Sequence, residues 1–375
     1  MKVLHLISGG DTGGAKTHII NLCSKLKNLV DLKIICFMYG PFYEEVKNAS
    51  IDIDVIPQRS RFDLSVVDRL YNLIEEQGYD IIHCHGARAN FIGMFLKRKL
   101  KDKPFITTIH SDFDLDFQDV FYKRIIFSYL NKISLKRFDY FISVGSGLIS
   151  KIKSLGVNEK RIFLLYNGFD FDKQISFEEK DSFLSKYMDK SVYQSKTIVG
   201  NLSRLYKVKG LDVFIKAANL VVKDNPDVIF LIGGSGPQKE FLQNMINEFK
   251  LNDRVFLLGN IKNPYDFFNA IDINVISSYS ETFPYSILEA TALEKCCVSS
   301  KVGSVPDLIE DGENGFLFEV GDYKELARKI ETLLNSRELI TAFGKRLSQK
   351  AKEKFSADTM AKMQFDIYKK IMKKR

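Results

Sequence analysis

Short runs of aliphatic and β-branched residues alternate along this chain with longer segments whose apolar positions recur every three or four residues. Runs of the first kind begin at Lys2-Val-Leu-His-Leu-Ile, Leu32-Lys-Ile-Ile-Cys-Phe, Asp80-Ile-Ile-His-Cys-His, Phe105-Ile-Thr-Thr-Ile-His and Tyr140-Phe-Ile-Ser-Val. Between them, Leu64, Val67, Leu70 and Ile74 share one helical face and predict a helix over 64–77. Such alternation argues for βαβ units and a parallel sheet. From Asp170 to Lys196 the rhythm breaks into Lys, Asp, Glu and Ser with isolated apolar residues, which reads as a linker. It restarts with strand-like runs at Thr197-Ile-Val-Gly-Asn, Asp227-Val-Ile-Phe-Leu-Ile, Arg254-Val-Phe-Leu-Leu-Gly, Ile271-Asp-Ile-Asn-Val-Ile and Cys297-Val-Ser-Ser. The terminal segment from Asp358 carries Met360, Met363, Phe365, Ile367 and Ile371 at helical spacing and ends in a basic cluster. The fold class is therefore α/β, with two doubly wound parallel-sheet, Rossmann-like domains.

Composition narrows the classes. The 375 residues exceed one ordinary domain, and 45% hydrophobic with 27% charged residues excludes disordered, collagenous and disulfide-stapled chains. No apolar run approaches the ~20 residues that span a bilayer, and the amino terminus lacks the features of a signal peptide, so a cytoplasmic location is expected. Cys23, Cys36, Cys84, Cys296 and Cys297 are odd in number and sit in apolar runs, which suits buried, reduced thiols. The net charge of +8 favours anionic partners without choosing among them.

Open parallel sheets bind ligands beyond the carboxyl ends of their strands, so the residues just past each strand are informative. The first strand leads into a loop with Gly9, Gly10, Gly13 and Gly14 and then a helix, a phosphate-facing arrangement. Its spacing is not Gly-x-Gly-x-x-Gly and the second strand ends without a carboxylate, which disfavours a nicotinamide enzyme. His85 and His110 terminate strands, where an imidazole can orient a hydroxyl or take a proton. His83 shares the face of His85, but no carboxylate or thiolate company assembles around it and no metal is expected. Asp112, Asp114, Asp116 and Asp119 alternate with Phe113, Leu115 and Phe117, which reads as a lid rather than as a cation site.

In the second half, Arg204 and Lys209 lie in one short loop after a strand, and both cations can converge on a diphosphate. Gly233-Gly-Ser-Gly-Pro237 ends the next strand with a close-approach loop that includes Gly234 and Gly236. The segment Ser278-Tyr-Ser-Glu-Thr-Phe-Pro-Tyr-Ser-Ile-Leu-Glu places Glu281 before a helix starting near Pro284 or Tyr285, with Glu289 in its second turn. The backbone from Thr282 and Phe283 through Tyr285 to Ser286 then meets the ligand end of the sheet. A capped helix and nothing more would also explain the two carboxylates.

Taken in order, Gly13-Gly14 with His18, His110, Tyr166-Asn-Gly-Phe-Asp170, Arg204 with Lys209, Gly233-Gly-Ser-Gly-Pro237, Glu281-x7-Glu289 and Gly303-Ser-Val-Pro-Asp307 resemble glycosyltransferase family 4. The resemblance implies a GT-B fold whose two domains face across a cleft. It assigns residues 1–175 to an acceptor-binding domain, to which a carboxyl-terminal helix 358–375 crosses back, and 193–357 to a nucleotide-sugar domain. It further implies transfer of a hexose or N-acetylhexosamine from a nucleoside diphosphate sugar, with UDP the expected nucleotide, retention of configuration and no bound metal or other cofactor. Arg204 and Lys209 would neutralise the diphosphate, and Glu289 would hold the ribose. Glu281 and His110 would meet the transferred sugar. Gly13, Gly14, Gly234, Gly236 and the 282–285 segment, including Pro284, would line the donor, while Lys16, His85 and Asn167 would face the acceptor.

A lipid-linked or saccharide acceptor in cell-envelope polysaccharide or glycolipid synthesis is the expectation from family habit. Lys97-Arg-Lys-Leu-Lys-Asp-Lys has five cations in seven residues, and Phe121 to Ile133 mixes aromatics with cations. Together they could seat the chain on the anionic inner face of the plasma membrane, although a cationic helix end alone explains part of the pattern. Two other readings remain: a sugar-nucleotide epimerase of the same architecture, and a non-catalytic subunit that activates a transferase. No nucleic-acid recognition motif is present.

Overall fold

The computed structural model describes residues 1–10, 13–60, 62–111 and 129–374. They form two compact α/β units, one built from Met1–Asp170 with Phe355–Arg375 and the other from Phe171–Lys354. The acidic run 112–119 and residues 121–128 of the aromatic and basic segment lie outside the described residues.

The first unit contains a seven-stranded parallel sheet in the order β3-β2-β1-β4-β5-β6-β7. Its strands are β1 (Lys2–Ile7), β2 (Asp31–Cys36), β3 (Ile53–Val55), β4 (Ile81–His85), β5 (Phe105–Ile109), β6 (Tyr140–Ser143) and β7 (Ile162–Leu164). All of β4 and β5 is buried, because helices cover both faces of the sheet. The helix Gly14–Leu26 buries His18, Ile19, Leu22, Cys23 and Leu26 on one stripe, and the helix Ser65–Gln77 buries Val66, Val67, Leu70 and Ile74 on the other side of the sheet. The chain leaves β1 for β2 and β3, then returns to the opposite flank at β4. The strand order therefore reverses between β1 and β4.

The second unit repeats the plan with six parallel strands in the order β10-β9-β8-β11-β12-β13. These are β8 (Thr197–Leu202), β9 (Val228–Gly233), β10 (Val255–Gly259), β11 (Ile273–Ile276), β12 (Cys296–Ser300) and β13 (Phe316–Phe318). Here the reversal falls between β8 and β11, which pair through Ile273 with Val199 and Asn274 with Gly200. In open sheets of this kind ligands bind at such reversals, beyond the strand carboxyl ends, because the loops on either side diverge and leave a crevice.

Three details depart from the sequence reading. The segment read as a linker folds instead into the short helices Lys180–Leu184 and Lys190–Tyr193, whose Phe183, Leu184 and Tyr193 are buried in the second unit. The terminal helix Ala357–Lys373 packs on the helix Gly14–Leu26 in the first unit and buries Met360, Ala361, Gln364, Ile367, Tyr368 and Ile371. Met363 is 38% exposed, so the apolar face runs through Gln364 and Tyr368. Third, β3, β7 and β13 are strands of three residues absent from the sequence reading.

All five cysteines are buried, at apolar positions, and none is in a disulfide. Among the described residues no helix is long and apolar enough to cross a membrane.

Candidate functional site

At the reversal in the first unit, all five histidines of the chain gather. His5 and His83 are register partners on β1 and β4, and His85 ends β4 opposite Ile7. Their rings lie 4.7 Å (His5 to His83), 4.3 Å (His83 to His85) and 5.1 Å (His5 to His85) apart. His110, just past β5, is 5.4 Å from the His85 ring, and His18 meets it edge-on at 4.8 Å. Burial is the main reason all five resist protonation, and their mutual repulsion adds to it for His5, His83, His85 and His110. His5 is held down to about 3 and His18 to about 4, the latter in spite of a bond to Asn167 that favours its charge. His83, His85 and His110 also lie well below the usual imidazole value. The cluster is a set of neutral rings.

Hydrogen bonds define what each ring can offer. His85 is bonded through one nitrogen to His5 (2.9 Å) and through the other to His110 (3.2 Å). The sequence reading turns His85 toward an acceptor; its two nitrogens are engaged by His5 on the inner side and by His110 on the outer side. Asn167 lies buried with its Oδ1 2.9 Å from His18 Nδ1, so it orients that ring. His18 Nε2 is buried with no hydrogen-bond partner among the described residues. Lys16 pairs with Glu45 at 2.7 Å on the surface of the first unit. Gly13 precedes the helix Gly14–Leu26 with φ of 72°, and a methyl group there would meet nothing within 4 Å, so backbone angle rather than space calls for glycine. His5, His83 and His85 bring three ring nitrogens within 4.8 Å of one another, the spacing of a metal-ligand triad. Both nitrogens of each ring already take part in hydrogen bonds inside the cluster.

At the reversal in the second unit, the loop after β8 and the loop after β11 are tied together. Ser277 Oγ donates to the Lys209 carbonyl at 3.2 Å, and the Tyr279 N–H donates to the Val208 carbonyl at 2.8 Å. Across this seam Lys209 Nζ donates to Glu281 Oε1 at 2.5 Å, and Ser278 Oγ donates to the same oxygen at 2.8 Å. The side chains of Lys209 and Glu281 retain 18% and 13% of their exposure, so the pair is largely desolvated. Arg204 is exposed on the same loop, its guanidinium 5.3 Å from the centre of the Tyr206 ring. The loops thus join Lys209 to Glu281, while Arg204 stays exposed against the Tyr206 ring.

Glycines hold this seam closed. Gly234 has φ of 134°, and a Cβ there would lie 1.9 Å from the Ser203 carbonyl oxygen, next to Arg204. Gly303 has φ of 51°, and its Cβ would lie 2.3 Å from the carbonyl oxygens of both Glu281 and Thr282. The loop with Gly236 packs on Leu205 in the same way.

The helix Tyr285–Ala292 starts with Pro284 as its N-cap residue. Phe283 and Tyr285 are buried, so their ligand-facing resource is backbone. Glu289 sits partly buried on this helix; desolvation raises its carboxyl to about 7, against the opposing pull of Lys173.

The basic cluster at the end of the helix Gly86–Lys99 is less available than its sequence suggests. Lys97 pairs with Asp139 at 2.7 Å, Lys99 pairs with Asp68, and Lys103 lies 3.6 Å from Glu75. Lys97 also donates to the carbonyls of Lys101 and Lys103 in the loop just past its helix.

Residues 12–173 match the family model "Glycosyltransferase Family 4", and residues 185–354 match "Glycosyl transferases group 1". Among curated relatives, the N-acetyl-alpha-D-glucosaminyl L-malate synthase of Bacillus anthracis is 25% identical over 83% of this chain and 80% of its own length. The Escherichia coli UDP-Gal:alpha-D-GlcNAc-diphosphoundecaprenol alpha-1,3-galactosyltransferase is 25% identical over 78% and 77%. Among solved structures, Anabaena HepE in complex with UDP superposes with a TM-score of 0.82 at 22% identity over 99% of this chain and 100% of that one, which shows the shared GT-B fold. With both family models matched in sequence order and two parallel-sheet domains in that fold, the chain belongs to the glycosyltransferases of family 4, group 1 type.

Proposed function

We propose that this glycosyltransferase moves a hexose or N-acetylhexosamine from a UDP-sugar to a lipid-linked or saccharide acceptor of the cell envelope, with retention of anomeric configuration and without a bound metal. The observation that carries the reading is the seam at the second unit's strand reversal, where Lys209 and Glu281 pair across adjoining loops and Arg204 lies exposed on the Lys209 loop. Departure of a nucleoside diphosphate builds negative charge on its phosphates. A lysine held at a strand end and an arginine on the same loop stabilise that charge where other enzymes use a metal ion. The UDP complex of HepE and the galactosyl donor named for the Escherichia coli relative support UDP as the nucleotide. The diphosphoundecaprenol acceptor named for that same relative supports a lipid-linked one.

The Lys209–Glu281 pair also bears on mechanism. A carboxylate oxygen that accepts from an ammonium at 2.5 Å and from a hydroxyl at 2.8 Å has its lone pairs engaged and is a weak nucleophile. This favours front-face attack over a covalent intermediate on Glu281. In that step the bond from the sugar C1 to the diphosphate oxygen breaks while the acceptor oxygen bonds to C1 from the same face, and the acceptor proton passes to the departing phosphate. Glu281 then positions the sugar, Glu289 holds the ribose hydroxyls, and the neutral His110 ring meets the reacting sugar.

Incubation with a panel of nucleotide sugars, followed by assay of released nucleoside diphosphate, tests the reading. UDP release is expected, lowered about 10²–10³-fold in Arg204→Ala and Lys209→Ala by loss of charge stabilisation, and abolished in Glu281→Ala. Conversion of the donor sugar without nucleotide release would instead establish the epimerase reading.

A further inference from the structure

The histidine cluster extends to the terminal helix. From the surface inward, His110 Nε2 is 3.2 Å from His85 Nδ1, and His85 Nε2 is 2.9 Å from His5 Nδ1. His5 Nε2 is then 3.2 Å from the Tyr368 hydroxyl, which lies 2.6 Å from His83 Nδ1. His83 Nε2 ends the series 2.7 Å from Thr108 Oγ1. Tyr368 and the His5 and His83 rings are fully buried, and His85 is 1% exposed.

Counting protons along this series gives it a direction. A neutral imidazole has one N–H and one lone pair, so a ring bonded at both nitrogens donates on one side and accepts on the other. Each of the five links needs one proton. If His110 donates to His85, then His85 donates to His5, His5 to Tyr368, Tyr368 to His83 and His83 to Thr108. If Thr108 donates, every link reverses and His110 accepts at Nε2. A third arrangement, in which Tyr368 accepts from both rings, leaves its own buried O–H without an acceptor, which is unfavourable. A protonated ring would donate at both nitrogens and break a link, and burial opposes it further. The tautomers are therefore set together. His110 Nδ1 offers a lone pair in the first arrangement and an N–H in the second.

We propose that Tyr368 is a positioning residue for His110: through His5 and His85 it ties the tautomer of His110 to those of the buried rings, and so holds to a single form what His110 presents to a bound sugar. The kinetic consequence rests on the proposed place of His110 at the reacting sugar; the coupling of tautomers does not. This assigns to a residue far along the chain, on the last helix, a part in the chemistry of the first unit's strand ends.

Because the chain has five histidines and all lie in this cluster, labelling the full chain with 15N-histidine reports on the site and nothing else. Long-range proton–nitrogen correlation spectra distinguish Nδ1–H from Nε2–H rings. In the unmodified protein each of His5, His83, His85 and His110 is expected as one neutral tautomer from pH 8 down to pH 6. In Tyr368→Phe, His110 is expected to become a mixture of tautomers. The turnover number is expected to fall about tenfold, the worth of one oriented hydrogen bond, with the donor KM unchanged. Thr108→Val cuts the series at its other end and is expected to shift His110 in the same assay, which keeps the test open if Tyr368→Phe does not fold. An unchanged His110 tautomer in the folded variants overturns the proposal. A shifted tautomer with unaltered turnover upholds the coupling and removes His110 from the reacting sugar, so the two failures are distinguishable.

Discussion

Two carboxylates eight residues apart behave differently because their neighbours differ. Glu281 is bonded to Lys209 and Ser278, whereas desolvation dominates at Glu289 and raises it to about 7 from the usual 4.5. An acid raised in the folded state binds its proton more tightly there, so its contribution to stability is greatest below about pH 4.5 and is lost as pH rises through 7. Glu289→Gln is therefore expected to stabilise the ligand-free protein at pH 8 by about 1–3 kcal/mol, with the gap closing toward pH 4.5. If Glu289 holds the ribose as proposed, the same variant should bind UDP more weakly at pH 8, since a neutral amide replaces the anionic acceptor. Urea midpoints at the two pH values and UDP titration check both halves. The spacing of Arg204, Lys209, Glu281 and Glu289 is legible in the sequence, because strand ends and a helix start locate these residues without tertiary information. The Lys209–Glu281 bond is not, because their 72-residue separation closes only when β8 and β11 become neighbours. His5 leaves one faint signal, a polar residue inside an apolar strand. Tyr368 leaves none, since an aromatic on a helical stripe reads as core.

At the level of elements, loops that carry the site are placed by other loops packed against them. The β9 loop at Gly234 has room for a hydrogen and nothing larger beside the Ser203 carbonyl, and Ser203 precedes Arg204. Gly234→Ala is expected to push the β8 loop aside and weaken UDP binding about 10–100-fold, since displacing one charge-assisted contact costs about 1.5–3 kcal/mol. Gly13→Ala is the contrast: with nothing within 4 Å, its cost is confined to backbone strain of about 1 kcal/mol, read as a small drop in melting temperature. Strands of five or six residues announce themselves through apolar runs, and their alternation with helices is enough to place the ligand ends of both sheets. The edge strands β3, β7 and β13 escape because three residues are too few to establish a period, and pairing with a neighbour is what makes them strands. The apolar stripe that periodicity assigns to the terminal helix is one position out of phase at Met363. Gln364 and Tyr368, four and eight residues after Met360, lie on the same helical face and are buried with it.

Across the whole molecule, ionisable groups are distributed unequally between the two units, and acid separates them. Every histidine lies in the first unit, neutral, with pKa values held below 6.5 chiefly by burial. A base depressed in the folded state stabilises fully above the unfolded value and loses that contribution as pH falls from about 6.5 toward the folded value, which for His5 is about 3 and for His18 about 4. Each such ring costs about 1.4 kcal/mol per pH unit across that window, so several acting together rival a domain stability of about 5–15 kcal/mol within two pH units. In the second unit, Glu289 works in the opposite sense and gains over the same window. The first unit is expected to lose structure near pH 5 while the second retains it. Hydrogen exchange at pH 7 and pH 5, corrected for intrinsic rates, is expected to show protection lost in β1 and β4 before β8 and β11. No loss in β1 and β4 would show that the rings take up protons in the folded state, and with that the neutrality on which the shared tautomers depend would fail.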